Sequence, residues 1–171
     1  MAEKSYRDKY EIGKPGQARG IVFHEWIETD LTRFYVEAAP ANTDFSSAWG
    51  PINIYVESIS NFGRDNTENI VRQLGAKNSA AKRCKNLVIN GFNDWFMPTI
   101  DELVLMYKNL KLKKLGGFKD DIYWSSTSIN AFNENNTALL QSFITGNADI
   151  VYRPNVFWVR AARYFSVKAD Y

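Results

Sequence analysis

Few residues in this chain have types suited to catalysis. There is one histidine, His24, and one cysteine, Cys84. A histidine works as a base or a metal ligand when a nucleophile or further ligands accompany it. No Ser or Cys motif flanks His24, so its simpler reading is a strand residue with a satisfied ring. Cys84 has no nearby histidine to complete a nucleophile pair. As the sole cysteine it excludes an intramolecular disulfide framework and a Cys-rich zinc site, and it reads most simply as a small buried apolar residue. Asn93-Asp94-Trp95 offers oxygens of the kind calcium takes. It lies in a turn just ahead of a helix, however, where Asp94 is expected to accept backbone N–H bonds and hold the turn. Lys111, Lys113 and Lys114 form a basic cluster. With a net charge of only +2, a solvated helix C-terminus explains them better than a nucleic-acid patch. The expectation is therefore a protein with no catalytic residues, no metal and no cofactor.

Binding is the chemistry that remains. Tyr123–Arg163 begins and ends on framework-like pieces, Tyr123-Trp124-Ser125-Ser126 and Val159-Arg160-Ala161-Ala162-Arg163. Between them lies an irregular segment rich in Asn and in apolar residues. A rigid frame carrying a variable-looking insert is the usual build of a binding surface.

The elements that must carry this insert follow from pattern. The length suits one domain, and aromatics at 15%, with 11 Phe, 9 Tyr and 5 Trp, favour a strand- and loop-rich fold over a Leu/Ala bundle. Residues 20–27 and 33–39 read as a hairpin, and Trp49 as a core plug beneath the loop 40–50. Residues 52–59 suit a short strand. Asp65-x-x-Glu68 has the form of a capping box, followed by one helical face through Ile70, Val71, Leu74, Ala81 and Cys84, with Gly75 weakening its middle. Thr99-x-x-Glu102 is a second capping box, opening a helix with Ile100, Leu103, Met106, Tyr107 and Leu110 on one side. Residues 122–124 read as a strand. Leu139–Ile144 and Asp149–Arg153 flank a hairpin turn at 145–148, and Val156–Arg163 reads as a final strand. The sum is α+β: two helices in the middle, about seven short strands, and N- and C-terminal strands meeting in one antiparallel sheet. No N-terminal segment reads as a signal peptide and no apolar run reaches membrane-spanning length, so no membrane insertion is expected.

In combination, the pieces YEIG…GIVFHEW…FYVEAAP…AWG, GRDNTENIV, GFNDWFMPTIDELVLMY, YWSS and VRAAR resemble a bacterial, phage and archaeal-virus family. Its members carry a C-type-lectin-like domain with a G-x-x-DW-x-x-P-x-x-x-EL…YWSS…G…VRxxR pattern. The resemblance covers about Tyr10 to Phe165. It implies a single lectin-like domain over 10–165, related to the formylglycine-generating-enzyme version of the fold, with two helices flanking the sheet. That enzyme's chemistry uses a cysteine pair, and this chain has one cysteine. The usual calcium-lectin signatures, Glu-Pro-Asn or Gln-Pro-Asp with Trp-Asn-Asp, are absent.

Some members of the family are target proteins of diversity-generating retroelements, in which a reverse transcriptase rewrites adenines in the C-terminal coding segment. Their YWSS, F-x-x-G and VRA-R pieces occur here in the same order, at Tyr123–Ser126, Phe143–Gly146 and Val159–Arg163. An AAC codon with randomised adenines never encodes Lys, Glu, Gln, Met or Trp, and none of these occurs from Ser142 to Phe157. Glu134 and Gln141 must then be framework. The resemblance implies a variable region within 123–165 that binds a protein or another surface molecule. Its candidate residues are Asn130, Phe132, Asn133, Asn135, Asn136, Leu139, Leu140, Thr145, Asn147, Asp149, Val151, Tyr152, Asn155 and Phe157, with Phe132, Tyr152 and Phe157 as anchors. Phe143 and Val159 are expected to face inward, since strand side chains alternate. The alternatives are a non-diversified lectin- or adhesin-like domain and a module of a larger cell-surface or virion assembly.

Overall fold

The computed structural model describes residues 10–129 and 136–168. Within these residues the chain is α+β, with three α-helices and two sheets. Strands β1 (Ile21–Ile27) and β2 (Arg33–Ala38) form the expected hairpin. The C-terminal strand β8 (Ala162–Val167) pairs antiparallel with β2, so the two ends of the chain share a three-stranded sheet in the order β1-β2-β8. The second sheet holds β3 (Phe45–Ala48), β4 (Ile122–Ile129), β5 (Thr137–Ser142), β6 (Ala148–Tyr152) and β7 (Val156–Val159). Its order is β3-β7-β4-β5-β6, antiparallel except where β4 meets β7 in parallel.

The helices are α1 (Gly63–Leu74), α2 (Ala80–Lys85) and α3 (Ile100–Asn109). The single helix expected over 65–84 is thus two. Gly75 adopts a left-handed φ of 57° and closes α1, and Ser79 opens α2 by accepting the Lys82 N–H at 3.1 Å. Nor does α1 start with an Asp65–Glu68 box. Its N-cap is Phe62, which has no side-chain cap. The cap comes from elsewhere in the fold. A Cβ on Gly63 would lie 2.5 Å from Glu102 Oε2 and 2.6 Å from the Met97 carbonyl, and the Gly63 N–H is shared between the Tyr164 hydroxyl at 3.2 Å and Glu102 Oε1 at 3.4 Å. Only glycine allows that approach, and it places a carboxylate at the positive end of α1.

Glu102 also completes the capping box of α3, accepting from the Thr99 N–H at 2.8 Å while Thr99 Oγ1 accepts from the Glu102 N–H at 3.1 Å. Tyr164 of β8 donates its hydroxyl to the same carboxylate. One side chain therefore ties the starts of α1 and α3 to the C-terminal strand. Burial pushes its pKa above the ordinary 4.5, against the hydrogen bonds that lower it. A carboxyl raised on folding contributes stability below its unfolded value, and that contribution is lost as pH rises through the folded value. Glu102→Gln keeps an acceptor without a charge. Its melting temperature, followed from about pH 4 to about pH 8, is expected to gain on that of the parent as pH rises. A pH-independent difference would contradict this.

Most of the core falls in two lobes, with a third, small cluster of Val22, Tyr35 and Phe165 on the other face of the first sheet. One lies between the second sheet and α1–α2 and contains Trp49, Ile70, Leu74, Cys84, Trp95, Trp124, Leu140 and Val159. The other joins the first sheet, α3 and the opposite face of the second sheet through Phe23, Val36, Leu103, Met106, Leu110, Tyr123 and Phe143. Adjacent Tyr123 and Trp124 therefore point to opposite lobes, as strand alternation requires. Leu103, Phe143 and Val159 are buried, as expected, and so are Trp95 and Trp124.

Val156–Arg163 is not one strand. The chain leaves the second sheet after Val159 and enters the first at Ala162. The arginines on either side of this crossing are pinned. Arg160 grips Asp44 with two nitrogens, donates to the Gly116 carbonyl at 2.8 Å and lies 4.1 Å over the Phe118 ring. Arg163 grips Asp94 at 2.7 and 2.9 Å and reaches buried Glu37 at 2.9 Å. The Val-Arg-Ala-Ala-Arg run is therefore a crossover clamp, and its two alanines are the small residues buried between the arginines.

Candidate binding surface

Asn130, Phe132, Asn133 and Asn135, together with Glu134, lie outside the described residues. The other candidates fall on the β5–β6 hairpin and on the corner from β6 into β7. The hairpin turn is fixed from inside. Phe143 is buried, edge-on to Tyr107 of α3, and Gly146 takes a φ of 83° with Tyr107 directly against it. Gln141, read as framework, is fully buried and donates Nε2–H to the Gly146 carbonyl at 2.6 Å.

Strand register sorts the side chains. Thr137–Tyr152, Leu139–Ile150 and Gln141–Ala148 pair on one face, and Ala138–Val151 and Leu140–Asp149 on the other. Thr145, Asn147, Asp149, Tyr152 and Asn155 are exposed, and so are Ile144, Ile150 and Val156 between them. Leu139, Val151 and Phe157 are half-buried, with Phe157 edge-on to Trp124 at 5.1 Å.

Two candidates do not face solvent. Leu140 is 3% exposed because it pairs across β4 with Trp124 and enters the same lobe of the core. Asn136 is 8% exposed. Its Oδ1 accepts the Asn53 N–H at 2.6 Å and its carbonyl accepts the Arg153 N–H at 2.8 Å, so it fastens chain segments together.

The residue that organises this surface is Arg153, which none of the sequence arguments singled out. It is fully buried at the β6–β7 corner. It donates to the carbonyls of Thr137 at 3.2 Å, Ile54 at 2.9 Å and Val56 at 3.4 Å, and lies 4.4 Å over the Trp49 ring. No carboxylate pairs with it among the described residues, and burial brings its pKa down to about 10. Its signal in the sequence was slight: a lone cation in the run from Ser142 to Phe157, next to Pro154.

Arg153 also explains why 52–59 is not a strand. The carbonyls of Ile54 and Val56 go to its guanidinium and that of Glu57 goes to Asn69, while the N–H groups of Asn53 and Ile59 go to asparagine side chains. Side chains take the partners a neighbouring strand would supply. The segment is thereby held beside the hairpin, and its exposed Ile52 and Tyr55 extend the candidate surface.

The groups suited to reaction chemistry lie elsewhere. His24 is half-buried on β1 and stacked on Trp26 at 5.8 Å, and desolvation lowers its pKa despite neighbouring Glu25. Cys84 is fully buried on α2, and burial pushes its thiol well above the ordinary range, away from the reactive thiolate. Asp94 holds its turn through the Arg163 guanidinium rather than through backbone N–H groups, with both carboxylate oxygens engaged. Among the described residues, no group of three or more His, Cys, Asp or Glu could hold a metal ion. A cleft of about 550 Å3 lies between α1, the end of α2 and the 86–96 segment, lined by Arg64, Thr67, Glu68, Lys85 and Trp95 among others; none of the hairpin residues borders it. No helix among the described residues is long and apolar enough to cross a membrane.

Compared with known proteins, the chain matches no family model and no curated sequence.

Proposed function

We propose that this chain is a non-enzymatic binding protein. In this reading it has a C-type-lectin-like scaffold that presents the β5–β6 hairpin and the β6–β7 corner to a protein or other surface ligand. The displayed side chains are exchangeable, as in the retroelement target proteins its motifs resemble. One observation carries the reading: the backbone of this region is held mainly by buried residues, and the display side chains add only local bonds, Thr145 Oγ1 accepting the Asn147 N–H at 3.3 Å and Asp149 Oδ1 the Ile150 N–H at 2.7 Å. The corner is fixed by Arg153, by Asn136 and by Trp124, whose indole N–H reaches the Asn155 carbonyl at 3.3 Å. Thr145, Asn147, Asp149 and Asn155 point outward and belong to neither core lobe. Aromatic and short polar side chains on such a frame give contact area and adaptable hydrogen bonds at low entropic cost.

The paired terminal strands and the arginine-clamped crossover support the lectin-like architecture. The half-buried, desolvated His24 and the buried Cys84 give no support to catalysis. Sequencing the DNA around the gene tests the diversified reading. A reverse-transcriptase gene and a near-copy of the segment encoding 123–165, differing at adenines, are expected; their absence would leave an ordinary adhesin-like domain.

A further inference from the structure

The lysine cluster after α3 is built into a rigid projecting knuckle. Lys111–Lys113 form a single 3-10 turn, Lys114 takes a left-handed φ of 59°, and Gly116 and Gly117 follow at 78° and 58°. The turn closes on itself through the N–H groups of Lys113 and Leu115 to the Leu110 carbonyl, both at 3.0 Å, and that of Lys114 to Lys111 at 3.0 Å. Leu110 and Phe118 are buried on either side of it, Lys111 Nζ donates to the Phe118 carbonyl at 3.1 Å, and Arg160 holds the Gly116 carbonyl.

This well-anchored turn holds Leu112 outward, 62% exposed, with Leu115 36% exposed beside it. Leu115 touches Gly13, which brings exposed Ile12 and Lys14 to the same patch. Lys108, one turn earlier on α3, and Lys113 and Lys114 are exposed, and none has an ion-pair partner among the described residues. The acids close by are Asp120, which is paired with Lys111, and Glu11 in the Glu11–Lys14 turn.

We propose that this knuckle docks on an anionic lipid surface, inserting Leu112 and Leu115 at the headgroup–acyl boundary while Lys108, Lys113, Lys114 and Lys14 meet lipid phosphates and carboxylates. The pairing of groups favours this occupant. A nucleic acid would use the lysines but leave the leucines in water, whereas a membrane interface takes both. Each lysine near an anionic bilayer strengthens binding roughly fivefold, and the attraction falls off within a Debye length. The attachment is peripheral.

Co-sedimentation of the whole chain with vesicles tests it. Binding is expected to phosphatidylcholine vesicles containing phosphatidylserine, to weaken as salt is raised, and to be absent with phosphatidylcholine alone. Lys108→Glu with Lys113→Glu should abolish it. Leu112→Ser with Leu115→Ser should weaken it at least about tenfold in a chain that circular dichroism shows to be folded. Val88→Ser, at an exposed apolar residue outside the patch, should bind like the parent. Lack of binding to anionic vesicles, equal binding to neutral ones, or binding indifferent to the leucine pair would overturn the proposal. So would tighter binding to a single-stranded RNA, lost with the lysines and kept without the leucines; that result would mark a nucleic-acid patch.

Discussion

Arg163→Met is expected to cost roughly 3–5 kcal/mol, the range for breaking a buried ion pair from one side. Glu37 is fully buried; its carboxylate accepts the Ala18 N–H at 2.9 Å and the Gly20 N–H at 3.0 Å as well as the guanidinium. Without Arg163 that charge stays in the interior with backbone donors alone. Burial by itself would lower the Arg163 pKa, but hydrogen bonds to Asp94 and Glu37 outweigh it and hold the group above its ordinary value. The Asp94 side chain is 46% exposed, so water screens its share and Asp94→Asn should cost clearly less than Arg163→Met. Adding Glu37→Gln to Arg163→Met should recover part of the loss, since it removes the orphaned charge. Urea unfolding of the four proteins checks this. A loss under about 1 kcal/mol for Arg163→Met would mean that the clamp is not what joins β8 to the 90–98 turn.

Trp124→Ala is expected to cost a similar amount, roughly 3–5 kcal/mol, as for a truncated core aromatic. The ring is fully buried among Trp49, Leu140 and Val159, and its indole N–H is shared between the Ser47 and Asn155 carbonyls at 3.2 and 3.3 Å. Trp124→Phe separates the two roles. It keeps most of the apolar area but leaves the carbonyls without this donor, for roughly 1–3 kcal/mol. Because Asn155 belongs to the β6–β7 corner, both variants should also raise hydrogen exchange at 153–157 before global unfolding. An unchanged melting midpoint in Trp124→Ala would remove it from the core.

Local signals were legible where the chemistry was local. Thr99 and Glu102 cap α3 as the spacing required, the β1–β2 hairpin followed from two apolar runs around a polar link, and alternation placed Phe143 and Val159 inward. What the sequence hid was tertiary. The carboxylate that caps α1 lies on α3, so a capping box was read at Asp65 where none exists. Gly75, a local weak point in the sequence, takes a left-handed φ and divides a helical face that apolar periodicity alone would continue. Arg160 and Arg163 looked like the end of one strand, but the chain changes sheets between them. At the candidate surface, Asn136 and Leu140 were misplaced for a related reason. A binary pattern cannot show that an asparagine will fasten the 53 segment, or that a leucine opposite Trp124 is core. Arg153 was overlooked because an arginine held by backbone carbonyls leaves no acidic partner in the sequence to betray it.

In the proposed binding surface, side chains on the hairpin and corner can change while the frame cannot. Two libraries of the whole chain measure this directly, scored by protease resistance. The first randomises Thr145, Asn147, Asp149, Ile150, Tyr152 and Asn155 to the residues an AAC-derived codon allows. The second does the same at Trp95, Leu103, Trp124, Phe143 and Val159. Substitutions at exposed positions usually shift stability by no more than about 0.5 kcal/mol each. Most members of the first library should therefore remain folded, and most members of the second should not. If the two libraries unfold equally often, the hairpin is ordinary structure and the account of an exchangeable binding surface is wrong.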